Sequence, residues 1–72
     1  MHYNSIIEQL KERRDALQVT QAMLADLSKV SLRALKQFES GKGNPTLETL
    51  SKLAGALGME VNLQVKIPNH LK

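Results

Sequence analysis

The sequence predicts a small all-α fold of four to five helices that ends in one short β-strand. Over most of the first 58 residues, apolar side chains recur at spacings of three and four, as on the buried face of an amphipathic helix. Serine or threonine stands directly before several of these stretches, where a helix N-cap is favoured. After Gly58 the pattern changes to strict alternation, which is typical of a half-buried strand.

Length, charge and composition limit the classes of function that the chain can have. A chain of 72 residues holds one domain, and its net charge of +3 suits a polyanionic partner. The absence of cysteine excludes disulfides and thiolate metal sites. The sequence has neither a membrane-length apolar run nor a signal-peptide pattern at its start, so we expect no membrane contact and a cytoplasmic location.

The first helix is predicted to begin at Ser5, which forms the pattern of a capping box with Glu8. Lys11 and Arg13 are interpreted as part of its solvated face. One further set of side chains marks the buried face: Ile6, Ile7, Leu10, Arg14 and Leu17.

The second and third helices are predicted to be short and to follow one another closely. Thr20 caps the second helix, which turns Leu24, Ala25 and Leu27 inward. The sequence from Ser28 to Val30 interrupts this pattern. Ser31 then caps the third helix, whose apolar positions are Leu35 and Phe38.

The fourth helix follows a loop over residues 40–45, which is dense in turn residues. Thr46 caps this helix and Gly58 stops it. Gly55 lies inside it and costs about 1 kcal/mol relative to alanine. The apolar residues of the helix are Leu47, Leu50, Leu53, Ala54 and Leu57.

The alternating stretch spans residues 59–67 and ends at Pro68. Because the chain offers no second strand, we expect this strand to pair with its copy in a second subunit, antiparallel about a two-fold axis. The alternative is that it lies over the helices of its own subunit. The sequence thus divides into a helical domain at residues 1–58 and a dimerisation element at residues 59–72. The dimerisation contacts are expected from Val61, Leu63, Val65 and Ile67.

The two short helices and their tight turn fit a helix-turn-helix. Over roughly residues 7 to 60 the chain resembles the lambda-repressor-like (Cro/C1, or Xre) family, which implies a lambda-repressor-like fold. Arg14, six residues before Thr20, belongs to the resemblance. The other matching residues, in order and without gaps, are Thr20, Gln21, Leu24, Ala25, Val30, Ser31, Leu35, Phe38, Glu39, Gly41, Lys42, Asn44, Pro45, Leu47, Thr49, Leu50, Leu53, Ala54, Leu57 and Gly58.

The resemblance implies that the third helix enters the major groove of double-stranded DNA. Arg33 would read guanine, Gln37 adenine, and Leu32 would pack on a thymine methyl. Lys36 would reach a base edge or a phosphate. The residues implied to contact phosphates, which set register and affinity, are Gln21, Ser31, Ser40, Lys42 and Asn44.

The resemblance also implies a structural ion pair between Arg14 and Glu39, which would link the first helix to the end of the third. Lys29 departs from the family, which usually has glycine at this position of the turn. If the left-handed conformation is kept there, lysine costs about 1 kcal/mol.

These features predict a transcriptional repressor that binds a palindromic operator as a homodimer, with half-sites about 34 Å apart. The strand after the helices resembles that of HipB-like antitoxins, which implies autoregulation of an operon and a HipA-type kinase toxin as partner. The alternatives are a phage-like or metabolic repressor without a toxin, and a protein-interaction module that binds no DNA. The sequence has no cysteine and no carboxylate pair in an apolar setting, and His2 and His70 lie at the ends, where they are interpreted as solvated, so we expect no enzyme, metal or cofactor.

Overall fold

The computed structural model describes residues 4–63, and for Asn4 the backbone alone. Within this range the chain forms four helices: α1 Asn4–Ala16, α2 Gln21–Ser28, α3 Leu32–Glu39 and α4 Leu47–Ala56. The predicted all-α helix-turn-helix fold is therefore confirmed. None of these helices is long and apolar enough to cross a membrane.

Hydroxyl side chains begin three of the helices, as the sequence predicts. Thr20 Oγ1 accepts from the main-chain N–H of Met23 at 3.1 Å, and Ser31 Oγ accepts from that of Ala34 at 3.1 Å. Thr46 makes the same bond at the start of α4, at 3.0 Å. Each bond satisfies a donor that has no carbonyl one turn earlier.

The predicted capping box at Ser5 is wrong. Helix α1 already begins at Asn4, so Ser5 lies within its first turn. The Ser5 hydroxyl accepts from Gln9 Nε2 at 3.2 Å, one turn further along the helix.

Three of the helices end in the same hydrogen-bond pattern, with one residue in the left-handed conformation. After α4, Met59 donates its main-chain N–H to Ala54 at 2.8 Å, and Gly58 adopts φ +73°. Gly41 has the same role after α3, at φ +81°, and Gln18 has it after α1, at φ 57°. These motifs satisfy the last carbonyls of each helix and turn the chain sharply.

The core draws on all four helices and on the turn between α2 and α3. Its buried apolar residues are Ile7, Leu10, Leu24, Val30, Leu35, Phe38, Leu50, Leu53, Ala54 and Leu57. Met59 packs against this cluster from beyond α4.

Three leucines at apolar positions of the predicted helices are exposed, and two of them, Leu17 and Leu27, were predicted to be buried. Leu17 is 45% exposed because it follows the last residue of α1. Leu27 is 60% exposed: it projects about 60° to one side of Leu24, whereas the buried Ser28 projects about 40° to the other. Leu47, the first residue of α4, is 67% exposed. Spacing alone therefore did not show that α1 ends before Leu17, or that the buried side of α2 excludes Leu27.

Residues 59–63 contain neither helix nor strand. Val65 and Ile67, on which the predicted strand also depends, lie outside the described residues. Because the proposed partner of this strand is a second chain, its pairing stays a prediction.

Candidate nucleic-acid interface

The helix-turn-helix consists of α2, the turn at residues 29–31, and α3. Lys29 adopts the left-handed conformation, at φ 65° and ψ 19°, so this lysine keeps the backbone geometry that glycine would adopt without strain. Buried Ser28 fixes the turn: its hydroxyl accepts from the main-chain N–H of Val30 at 3.2 Å. Val30 is itself buried in the core, which anchors the turn between the two helices.

Helix α3 has two distinct faces. Leu35 and Phe38 are buried in the core and hold the helix against the rest of the domain. The opposite face is exposed and carries the four residues for which base reading was predicted: Leu32, Arg33, Lys36 and Gln37. The helix thus presents these side chains from a fixed support.

The polar side chains on this exposed face have no partner within residues 4–63. The ion pairs in this range join Arg14 to Asp15 and Glu39, and Lys52 to Glu48. Arg33, Lys36 and Gln37 take no part in these pairs or in the side-chain hydrogen bonds of the same residues. As far as residues 4–63 are concerned, their charges and donors are therefore free to meet an external group.

The residues predicted to contact phosphates differ in whether their hydrogen-bonding groups already have a partner within the described part of the protein. Lys42 and Asn44 are exposed in the loop after α3. The Ser31 hydroxyl accepts a capping bond, which leaves its own proton available to donate. Ser40 instead donates its hydroxyl to the carbonyl of Gln37 at 2.9 Å, so a phosphate would compete with an existing bond.

Gln21 has one donor of its side-chain amide engaged within the protein. Its Nε2 donates to Glu39 Oε1 at 2.9 Å. Its main-chain N–H, in contrast, opens α2, where no preceding helical carbonyl can accept it. The positive end of the helix makes this N–H the better candidate for a phosphate.

Arg14 and Glu39 form a two-pronged ion pair. Arg14 Nε donates to Glu39 Oε2 at 2.9 Å and Nη2 donates to Oε1 at 3.0 Å. The side chains are only 13% and 5% exposed. Arg14 Nη1 also donates to the carbonyl of Val19 at 3.0 Å, which ties in the segment before α2. The pair joins α1 to the last residue of α3.

Sequence reasoning missed one basic contact altogether. Arg13, interpreted as solvated, donates through Nε to the carbonyl of Leu57 at 2.9 Å. A cation at this position satisfies a carbonyl at the end of α4 and complements the negative end of its dipole. The contact spans 44 residues of sequence, so no local pattern could reveal it.

Two other features bear on ligands. Within residues 4–63, no group of histidine and carboxylate side chains could hold a metal ion. A groove lies between α1, α4 and the segment after α4, and its apolar lining includes Ile6, Leu10, Leu50, Met59 and Val61. It lies beside the segment for which dimer contacts were predicted.

Comparison with known proteins supports the architecture. A family model described as helix-turn-helix matches residues 10–63. The chain is 44% identical over 57 residues to the cryptic phage CTXphi transcriptional repressor RstR of Vibrio cholerae, covering 79% of this chain and 51% of that protein. It is 36% identical over 55 residues to the immunity repressor protein of Bacillus phage phi105, covering 76% and 38%.

A third relative is an uncharacterized HTH-type transcriptional regulator of Haemophilus influenzae, 36% identical over 59 residues, with 82% of this chain and 60% of that protein covered. The chain thus spans about half the length of the curated relatives that it matches. The search of solved structures gave no significant match.

Proposed function

The chain belongs to the helix-turn-helix family, of the Cro/C1 (Xre) type, and on this basis we propose that it is a sequence-specific DNA-binding repressor. One observation carries the proposal. Helix α3 exposes a row of side chains that have no partner within residues 4–63 and suit base edges, while its other face is fixed in the core.

The row matches the chemistry of the major groove. Arg33 can donate two hydrogen bonds to guanine O6 and N7, and Gln37 can both donate to and accept from adenine. Leu32 lacks a hydrogen-bonding group and suits the methyl of thymine. Lys36, one turn after Arg33, supplies a further positive charge toward a base edge or a phosphate.

Phosphate contacts would flank this row. The donors left free by residues 4–63 are the main-chain N–H of Gln21 at the start of α2, the Ser31 hydroxyl, and the side chains of Lys42 and Asn44 beyond α3. These groups bind any DNA sequence and set the position of α3 in the groove. Ser40 is the weakest of the predicted contacts because its proton is already donated to Gln37.

Repression and dimerisation are parts of the proposal that go beyond DNA binding itself. Two relatives named as phage repressors favour a phage-like repressor over the antitoxin hypothesis, which depends on the alternation at residues 59–67. A homodimer would place two copies of α3 one DNA turn apart and double the sequence that is read. A HipA-type toxin partner stays a prediction, which co-purification from the native cell would test.

The proposal is tested by selecting duplex DNA from a random library with the parent chain. We expect a palindromic sequence, and we expect Arg33→Ala to lower affinity for it by about 1–3 kcal/mol and relax one base position per half-site. Lys42→Ala should instead weaken binding to all duplexes and reduce the salt slope by about one unit.

Three results would contradict this assignment. A parent chain that selects no sequence would favour a module that binds protein alone. An Arg33→Ala variant with unchanged base preference would remove Arg33 from base reading. A salt slope unchanged by Lys42→Ala would exclude that lysine from the phosphate contacts.

A further inference from the structure

The bond between Gln21 and Glu39 joins the two outer ends of the helix-turn-helix. Gln21 is the first residue of α2 and Glu39 is the last residue of α3. The turn at residues 29–31 joins the same two helices at their inner ends. The pair of helices is therefore held at both ends, and Glu39 connects it to α1 through Arg14.

The bond uses a carboxylate that is already paired and nearly buried. Glu39 Oε1 accepts from Arg14 Nη2 at 3.0 Å and from Gln21 Nε2 at 2.9 Å. Hydrogen bonds to ionised groups are stronger than neutral ones, so the amide of Gln21 is firmly held. Its Oε1 is an acceptor and cannot hydrogen-bond a phosphate, which also offers only acceptors, so the side chain could reach a phosphate only through the second proton of Nε2.

We propose that Gln21 is a positioning residue, which acts through Glu39 to fix the first turn of α2 relative to the last turn of α3. This inference rests on the proposed DNA-binding function. The main-chain N–H at the start of α2 and the loop beyond α3 would contact phosphates on either side of the bases that α3 reads. Fixing the distance between these anchors fixes the register of Arg33 and Gln37 on the bases.

The proposal predicts that Gln21 contributes to the affinity for a selected DNA sequence and not to the affinity for unselected DNA. Without the bond, both phosphate anchors keep their charges and donors, so binding to unselected DNA should persist. The base contacts require a single relative position of the two helices and should weaken. Gln21 would thus set discrimination between sequences without touching a base.

The test is Gln21→Met, which keeps the length of the side chain and removes its amide. Glu39 keeps both bonds to Arg14 in this variant, so no charge is stranded. The probes are a duplex selected from a random library by the parent chain and an unselected duplex of equal length. We expect affinity for the selected duplex to fall about five- to tenfold, with affinity for the unselected duplex within about twofold of the parent.

Gln9→Met is the matched control, because Gln9 also donates a side-chain hydrogen bond but on the exposed face of α1. It should leave both affinities unchanged. Gln21→Asn is a second variant, which keeps an amide too short to reach Glu39 and should reproduce the loss of discrimination. Thermal unfolding followed by circular dichroism checks that each variant is folded.

Distinct results overturn the proposal. An equal fall on both duplexes would mean that the Gln21 side chain contacts phosphate itself. Unchanged affinities would mean that the bond to Glu39 has no part in binding, and failure of both variants to fold would make Gln21 purely structural. A parent chain that selects no sequence would refute the proposed function, and this inference with it.

Discussion

At the scale of single residues, Glu39 shows how a buried charge is made tolerable. Its carboxylate accepts three hydrogen bonds, two from Arg14 and one from Gln21, which replace the water lost on burial. The arrangement binds α1, α2 and α3 at one point. Removing one charge would leave the other in a site that water barely reaches.

Glu39→Gln should therefore destabilise the fold by about 3 kcal/mol. We expect the low end of the range for buried pairs, since the Arg14 side chain retains 13% exposure. The measurement is the free energy of unfolding from chemical denaturation at neutral pH.

The control for this change is Glu48→Gln, which breaks an exposed pair between Lys52 Nζ and Glu48 Oε1 at 3.2 Å. Exposed pairs one helical turn apart contribute less than about 0.5 kcal/mol. Equal losses in the two variants would contradict the structural role of Glu39.

The residue scale also shows the limit of sequence reasoning. The resemblance to a known family implied that Arg14 and Glu39 pair, yet nothing distinguished Arg13 from a solvated arginine. Whether Arg13 meets the end of α4 depends on how α1 and α4 pack together. The bond from Gln21 to Glu39 escaped prediction for the same reason, because α2 and α3 must first be arranged.

At the scale of elements, the starts of α2, α3 and α4 were predictable, whereas the start of α1 was predicted wrongly and helix ends were only partly predictable. Threonine and serine at positions 20, 31 and 46 cap their helices through contacts within three residues, which sequence alone reveals. Gly58 likewise indicated the end of α4. Gln18 gave no such signal, because its left-handed backbone follows from the path that α1 and α2 impose on the chain.

Two glycines near the end of α4 should respond oppositely to the same substitution. Gly58→Ala should destabilise the fold by about 1–2 kcal/mol, because Gly58 has φ +73° and an added Cβ would lie 3.4 Å from Arg13 Nη2. Gly55→Ala should stabilise it by about 1 kcal/mol, since Gly55 is helical and nothing lies within 4 Å of the added atom. Thermal unfolding of both variants provides the comparison, and a shift of the same sign in both would contradict the backbone argument.

At the scale of the whole molecule, the described chain has an apolar surface beside its last described residues. Leu63 is 99% exposed, and Val61, which is 42% exposed, lines the groove between α1 and α4. A small domain buries little of its own surface, so covering such residues in a dimer would add stability. The alternation at residues 59–67 indicates a strand, but whether it pairs across a dimer depends on a second chain and cannot follow from one sequence.

The oligomeric state tests this hypothesis through Leu63. Because this side chain contributes almost no burial within one subunit, Leu63→Asp should leave the melting of the isolated domain nearly unchanged. In a dimer joined by residues 59–67, the same change would bring two carboxylates to a paired, apolar interface and prevent association. Sedimentation equilibrium should therefore show a dimer for the parent chain and a monomer for the variant.

Truncation after Gly58 should likewise give a monomer, although it also removes the contact of Met59 with the core and the bond from Met59 to Ala54. Leu63→Asp is the sharper change because it leaves both in place. Leu27→Asp is the control, since Leu27 is 60% exposed and belongs to α2 and not to the dimerisation element, so this variant should stay dimeric. A truncated chain that remains dimeric would show that the interface lies on the helices. A monomeric parent chain would mean that two copies come together only on DNA.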